Sequence, residues 1–135
     1  MSYFLLTHSP NTLSGYKAHV FSTTPEQAEM VMARIADAAD QYGWGVKVGT
    51  AAFFALADEN HNQHGKGVTV YFPKLDDFQS DLDWLLRLLE GYPFAGTIKG
   101  DDMVSDAVGV RYEFHSDPGY DIPAEDAAQW YQAAH

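Results

Sequence analysis

One segment near the start of the chain carries both the start and the stop signal of a long helix. Thr24 is suited to the N-cap, Pro25 to the first helical position, and Gln27 to closing a capping box. Gly43 can end the helix in the left-handed conformation. The pattern predicts a helix from Thr24 to Tyr42, with a buried face made of Ala28, Val31, Met32, Ile35 and Ala39.

Strand-like segments rich in Val, Phe and Tyr alternate with further helical segments along the chain. The predicted strands are Tyr16–Ser22, Gly45–Val48, Gly67–Phe72 and Val108–Phe114. The other predicted helices are Thr50–Ala57, Asp76–Glu90 and Pro123–Ala134, and Asp58–Gly65 is predicted to be a polar loop. The apolar face of the helix Asp76–Glu90 consists of Phe78, Leu82, Leu85, Leu86 and Leu89. The elements predict one compact α+β domain over residues 1–135, with a helix layer on a sheet. They lack the regular βαβ spacing and Gly-rich turns of a dinucleotide-binding fold.

Composition excludes several classes of protein. The chain has no cysteine, which excludes a disulfide scaffold, a thiolate nucleophile and a Cys-ligated metal site. A net charge of −11 argues against general affinity for nucleic acid or anionic membranes. The chain contains no apolar run of about 20 residues, and its first ten residues lack a basic n-region. We therefore expect a soluble, cytoplasmic protein.

The few basic residues occupy unusual positions for such an acidic chain. Lys17, Lys47 and Arg111 lie inside predicted strands and Lys66 directly precedes one, although lysine is depleted in strands. If these strands are neighbours, the four cations converge on one pocket that suits a phosphate dianion. The alternative is that each faces solvent or pairs with one of the 19 carboxylates. For Arg34 and Arg87, on the helices, we expect solvated faces.

The histidines differ in how much they indicate. His19 lies two residues from Lys17 in one strand, so both side chains leave the same face and could form a phosphate-and-proton site. His61 and His64 have a spacing that permits a metal pair, but the sequence places no third ligand, and we expect a solvated loop. Carboxylates are plentiful, as in the loop containing Asp101, Asp102 and Asp106, yet nothing selects a catalytic pair.

Four motifs follow one another along the chain: YKAHVFSTTPEQAE, WGVKVGT, HGKGVTVYFP and VGVRYEF. In this order and at these intervals they resemble the phosphothreonine and phosphoserine lyases. That family includes type III effector phosphothreonine lyases and the lyase domains of class III, IV and V lanthipeptide synthetases. The resemblance covers Tyr16–Phe114 and implies a phosphothreonine-lyase-like fold, a mostly antiparallel sheet with helices packed on it.

The resemblance also implies a role for each matching residue. Lys47 matches the general base and His19 the general acid. Lys17 matches the lysine that holds phosphate or the substrate carbonyl. The remaining matches are to phosphate-binding or supporting residues: Lys66, Tyr71 and Arg111.

The implied reaction is β-elimination of phosphate from a phosphorylated peptide, leaving dehydroalanine or dehydrobutyrine. It requires no cofactor and no metal. Lys47 acts as a base only when neutral, and we expect neighbouring cations and burial to lower its pKa from about 10.4. His19 must be protonated to assist phosphate departure. The chain shows no kinase or cyclase domain, so separate kinase and cyclase proteins are the implied partners in lanthipeptide-type peptide biosynthesis.

Two other hypotheses remain open. The effector enzymes carry a further arginine where this chain has Glu113, His115 and Asp117. That departure favours a catalytically weak lyase-fold module that binds a phosphorylated or leader peptide. The strong negative charge favours, instead, an acidic interaction protein that covers a basic partner.

Overall fold

A six-stranded antiparallel sheet organises the molecule, seen in a computed structural model that describes residues 2–10 and 12–112. The strands are β1 (Phe4–His8), β2 (Tyr16–Val20), β3 (Gly45–Gly49), β4 (Val68–Tyr71), β5 (Asp102–Met103) and β6 (Val108–Tyr112). Their order across the sheet is β1-β3-β4-β2-β6-β5, and every neighbouring pair is antiparallel. Strands β2 and β4, which carry Lys17, His19 and Tyr71 of the predicted site, are therefore adjacent and central.

Three α-helices connect these strands within the described residues: α1 (Pro25–Tyr42), α2 (Ala51–Glu59) and α3 (Phe78–Leu88). A 3₁₀ turn, Leu75–Asp77, leads into α3, so this helix begins later than predicted. The predicted α+β class is confirmed. In the part of the chain that the structure describes, no helix is long and apolar enough to cross a bilayer.

Local capping explains why α1 agrees with its prediction. The Thr24 hydroxyl accepts a hydrogen bond from the Gln27 backbone N–H at 3.2 Å. The Gln27 side chain, however, reaches past the N-cap and accepts from the Thr23 backbone N–H at 2.9 Å. Gly43 ends the helix with φ of 72°, a conformation that glycine adopts without steric cost.

Two strands are absent from the sequence prediction. β1 is an edge strand whose residues Leu5 and Leu6 are 62% and 42% exposed, so it lacks the alternation that marks a half-buried strand. β5 has only two residues. The predicted helix Pro123–Ala134 and the end of the last predicted strand, residues 113–114, lie outside the described residues.

Side chains of the inner strands β3, β4, β2 and β6 alternate between the core and the opposite face of the sheet. The residues facing α1 and α3 are buried, and they are Ala18, Val20, Val46, Val68, Val70, Val108 and Val110. They pack against Val31 and Ile35 of α1 and Leu82 and Leu85 of α3. Because side chains alternate along a strand, the residues between these valines leave the opposite face.

Arg34 is half-exposed, so the expected solvated face holds only in part. Its Nη1 donates hydrogen bonds to the carbonyl oxygens of Leu88, at 3.4 Å, and Glu90, at 2.6 Å. The Leu88 carbonyl lies in the last turn of α3 and the Glu90 carbonyl lies just beyond it, where a helix leaves acceptors without intrahelical partners. Arg34 therefore joins α1 to the end of α3. Arg87 is exposed, as expected.

Candidate functional site

A cavity of about 290 Å³ opens on the sheet face opposite α1 and α3. Its lining residues are Phe4, Lys17, His19, Lys47, Gln63, Lys66, Thr69 and Arg111. Five of the six predicted site residues thus line one cavity. The four predicted cations, Lys17, Lys47, Lys66 and Arg111, therefore line the same cavity.

The strand register brings these residues together in two rows. In the first row, Lys47 on β3 lies opposite Thr69 on β4, which lies opposite His19 on β2. In the second, Lys17 on β2 lies between Tyr71 on β4 and Arg111 on β6. Directly opposed residues in an antiparallel pair point to the same face. Residues 17 and 111 are distant in sequence, yet they are cross-strand neighbours.

Tyr71 lies beside the cavity rather than in its lining. It is 3% exposed, and its ring centroid lies 6.0 Å from Lys17 Nζ and 5.8 Å from Lys47 Nζ. Lys47 Nζ also lies 4.4 Å from the Phe4 ring centroid. A cation within about 6 Å of an aromatic face is attracted by the ring quadrupole. Tyr71 is therefore placed to position the two lysines.

A buried carboxylate, absent from the predicted site, holds the histidine. Asp101, from the loop before β5, accepts a hydrogen bond from His19 Nδ1 at 2.6 Å, and its side chain is fully buried. The space for it comes from Gly109, which lies opposite His19 on β6. A Cβ at Gly109 would lie 2.6 Å from Asp101 Cβ and 2.7 Å from Oδ2. A residue without a side chain is therefore required there.

Burial keeps His19 neutral at pH values well below its ordinary pKa of 6.5. Loss of hydration lowers the pKa of His19 from 6.5 to about 4, despite the Asp101 carboxylate, which raises it. The nearby charges of Lys17 and Lys66 lower the pKa further. With the Nδ1 proton directed to Asp101, the other ring nitrogen, Nε2, carries a lone pair.

Lys66 is held where positive charge accumulates. Burial lowers the pKa of Lys66 below its ordinary value, and the positive charge of Arg111 is the second largest cause. The Lys66 backbone N–H donates to the Gln63 carbonyl at 3.1 Å. This bond closes the turn that carries Gln63 and Lys66, both of which line the cavity. Like charges held close without a ligand are unfavourable, and an anion relieves that repulsion.

Three buried polar atoms at this site have no hydrogen-bond partner among the described residues: Thr69 Oγ1, Asp101 Oδ1 and Arg111 Nε. Buried polar groups are nearly always hydrogen-bonded, so an unpartnered set in one place needs an explanation. The hydroxyl of Thr69 and the guanidinium of Arg111, beside the three lysines of the cavity, suit an anion with several acceptor oxygens.

Phe4, Gln63, Thr69 and Asp101 were missed by sequence reasoning. The place of Thr69 on this face could have been predicted, since it lies two residues before Tyr71 in the same strand. Asp101 had none, because it is 82 residues from His19 and one of several acids in its loop. His61 and His64 are exposed, as expected. No group of three or more His, Asp or Glu residues within the described ranges could hold a metal ion.

No protein-family model matches this chain, and no curated protein matches it. The chemistry of the cavity therefore carries the functional conclusion. Four of the eight lining residues are Lys or Arg, and none that the structure describes is Asp or Glu. In a chain with net charge −11, this cavity concentrates positive charge where a negative ligand would bind.

Proposed function

We propose that the protein is a phosphoserine/phosphothreonine lyase that eliminates phosphate from a phosphorylated peptide. The observation that carries the proposal is the gathering of Lys17, Lys47, Lys66 and Arg111 with His19 around one cavity. The four sequence motifs that resemble the lyases contribute these same residues. The proposal includes a phosphothreonine-lyase-like fold.

The cavity suits one phosphorylated side chain. Its volume of about 290 Å³ lies at the lower end of the range for ligand pockets, which fits a phosphate group better than a large cofactor. A phosphorylated residue carries a charge of about −1.5 to −2 at pH 7. Lys17, Lys66 and Arg111 form the phosphate-binding side of the cavity, and Tyr71 supports Lys17.

Lys47 and His19 supply the proton transfers. Neutral Lys47 removes the Cα proton, the electron pair forms the Cα=Cβ bond, and the Cβ–O bond breaks as phosphate leaves. His19 protonates the departing phosphate, with Asp101 holding the ring through Nδ1. His19 is neutral before the substrate binds, and the bound dianion raises its pKa so that it gains the proton it must give.

The product places the enzyme between two other activities. A kinase must supply the phosphoserine or phosphothreonine, and a cyclase can consume the electrophilic dehydroalanine or dehydrobutyrine. This sequence of reactions is that of lanthipeptide-type peptide biosynthesis in the cytoplasm.

Mass spectrometry of a phosphothreonine or phosphoserine peptide incubated with the protein tests the proposal. Elimination removes the elements of H₃PO₄ from the peptide, whereas hydrolysis removes only those of HPO₃. Lys47→Ala should abolish elimination and retain phosphopeptide binding. Lys74→Ala, at an exposed lysine outside the cavity, is the matched control and should be fully active. Hydrolysis, or full activity in Lys47→Ala, would refute the assignment.

A binding module is the second candidate function, favoured by the hydrogen bond from His19 Nδ1 to Asp101 at 2.6 Å, which leaves the neutral ring with no proton on Nε2 to give to a departing phosphate. Tight phosphopeptide binding without any product would support this candidate. Affinity that falls with added salt and does not depend on the phosphate would point instead to an acidic interaction protein.

A further inference from the structure

We propose that the Thr69 hydroxyl contacts the substrate, donating a hydrogen bond to the carbonyl oxygen of the phosphorylated residue as its Cα proton is removed. The inference rests on the proposed lyase function and adds a catalytic residue to it. Thr69 lines the cavity, is 1% exposed, and has no hydrogen-bond partner for Oγ1 among the described residues.

The hydroxyl has no packing role that an apolar side chain could not fill. Valine has nearly the same shape and is favoured in strands, and the neighbouring positions 68 and 70 are both valine. Burying a hydroxyl without a hydrogen bond costs free energy. A ligand that supplies the missing acceptor would remove that cost.

The register decides which substrate atom Thr69 meets. Thr69 lies directly between Lys47 and His19, and opposed residues have Cβ atoms about 5 Å apart. Lys47 acts on the Cα proton and His19 on the leaving oxygen, so the centre of the row faces the Cα–C=O unit. Phosphate lies toward the other row, where Lys17 and Arg111 are paired.

This position suits an oxyanion donor. As Lys47 takes the Cα proton, electron density moves onto the carbonyl oxygen before the Cβ–O bond breaks and phosphate departs. A preorganised donor in a buried site stabilises that charge in the transition state more than in the ground state. Thr69 should therefore affect kcat much more than phosphate affinity.

Two comparisons isolate the hydroxyl: wild type against Thr69→Val, and Thr69→Ser against Thr69→Ala. Thr69→Val removes it and keeps the shape, while Thr69→Ser and Thr69→Ala differ from one another only in the hydroxyl. Thr97→Val, at an exposed threonine, is the matched control for the same chemical change elsewhere. For each variant, kcat and KM for a phosphothreonine peptide, the Kd for inorganic phosphate and the melting temperature are measured.

We expect Thr69→Val to lower kcat by about 10²–10³-fold, with phosphate affinity changed less than about threefold and no loss of thermal stability. Thr69→Ser should stay within about tenfold of the wild type and exceed Thr69→Ala by about 10²-fold. Full activity in Thr69→Val, or equal activity of the Ser and Ala variants, would overturn the role of Thr69 and leave the lyase assignment intact. Parallel losses of kcat and phosphate affinity would make Thr69 a phosphate ligand instead. A wild-type protein that gives no product would overturn both proposals.

Discussion

Protonation of His19 should destabilise the folded protein, and the structure sets the size of the effect. The pKa of His19 is lowered from 6.5 to about 4, chiefly by burial. Because one pKa unit corresponds to about 1.4 kcal/mol, charging this ring costs about 3 kcal/mol more in the folded protein than in the unfolded chain.

The sign follows from the proton balance. Between pH 6.5 and about 4, the unfolded chain holds a proton on His19 that the folded protein does not. Stability rises with pH wherever the unfolded state binds more protons. The His19 contribution to the free energy of unfolding is therefore fully present above pH 6.5. It falls by about 2 kcal/mol at pH 5 and by most of its value near pH 4.

Urea unfolding of the wild type and His19→Asn, followed by circular dichroism between pH 7 and pH 4.5, measures this contribution. Asparagine can still donate to Asp101 but does not titrate. The carboxylates are the same in both proteins, so the difference between the two pH profiles isolates His19. Parallel profiles for the wild type and the variant would refute the claim that His19 is held neutral by burial.

Three further predictions concern the fold and the support of the site. Gly109→Ala should reduce elimination by about tenfold or more, because its Cβ displaces Asp101 from His19; unchanged kcat/KM would show that this contact is dispensable. Thr24→Ala should lower the free energy of unfolding by about 1 kcal/mol through loss of the cap on α1, and an unchanged urea midpoint would contradict it. Leu85→Ala should cost about 2–5 kcal/mol, since Leu85 is fully buried; a smaller loss in urea unfolding would mean that the core collapses around the deletion.

The helices could be predicted because their signals are local. Thr24, Pro25 and Gly43 act within one or two turns, and the structure places them at the ends of α1 as predicted. The pairing of Lys17 and His19 on one face was equally local, since it depends only on alternation along β2.

The composition of the site depended on pairings that no local pattern encodes. β4 lies between β3 and β2, which brings Lys47 into one row with His19. Asp101 reaches the site through a loop and through the missing side chain of Gly109. Neither fact follows from charge or periodicity, although the accumulation of cations in strands did predict where charge would gather.

The alternation of the sheet gives the chain an unusual sensitivity to insertions and deletions. Lys17 and His19 occur in turn with Ala18 and Val20, which belong to the core. Adding or removing one residue within β2 would exchange the two faces, sending lysine and histidine toward the helices and alanine and valine into the cavity. Such a change would destroy packing and chemistry in one step, so length changes inside the central strands are tolerated less well than those in loops that contribute nothing to the site.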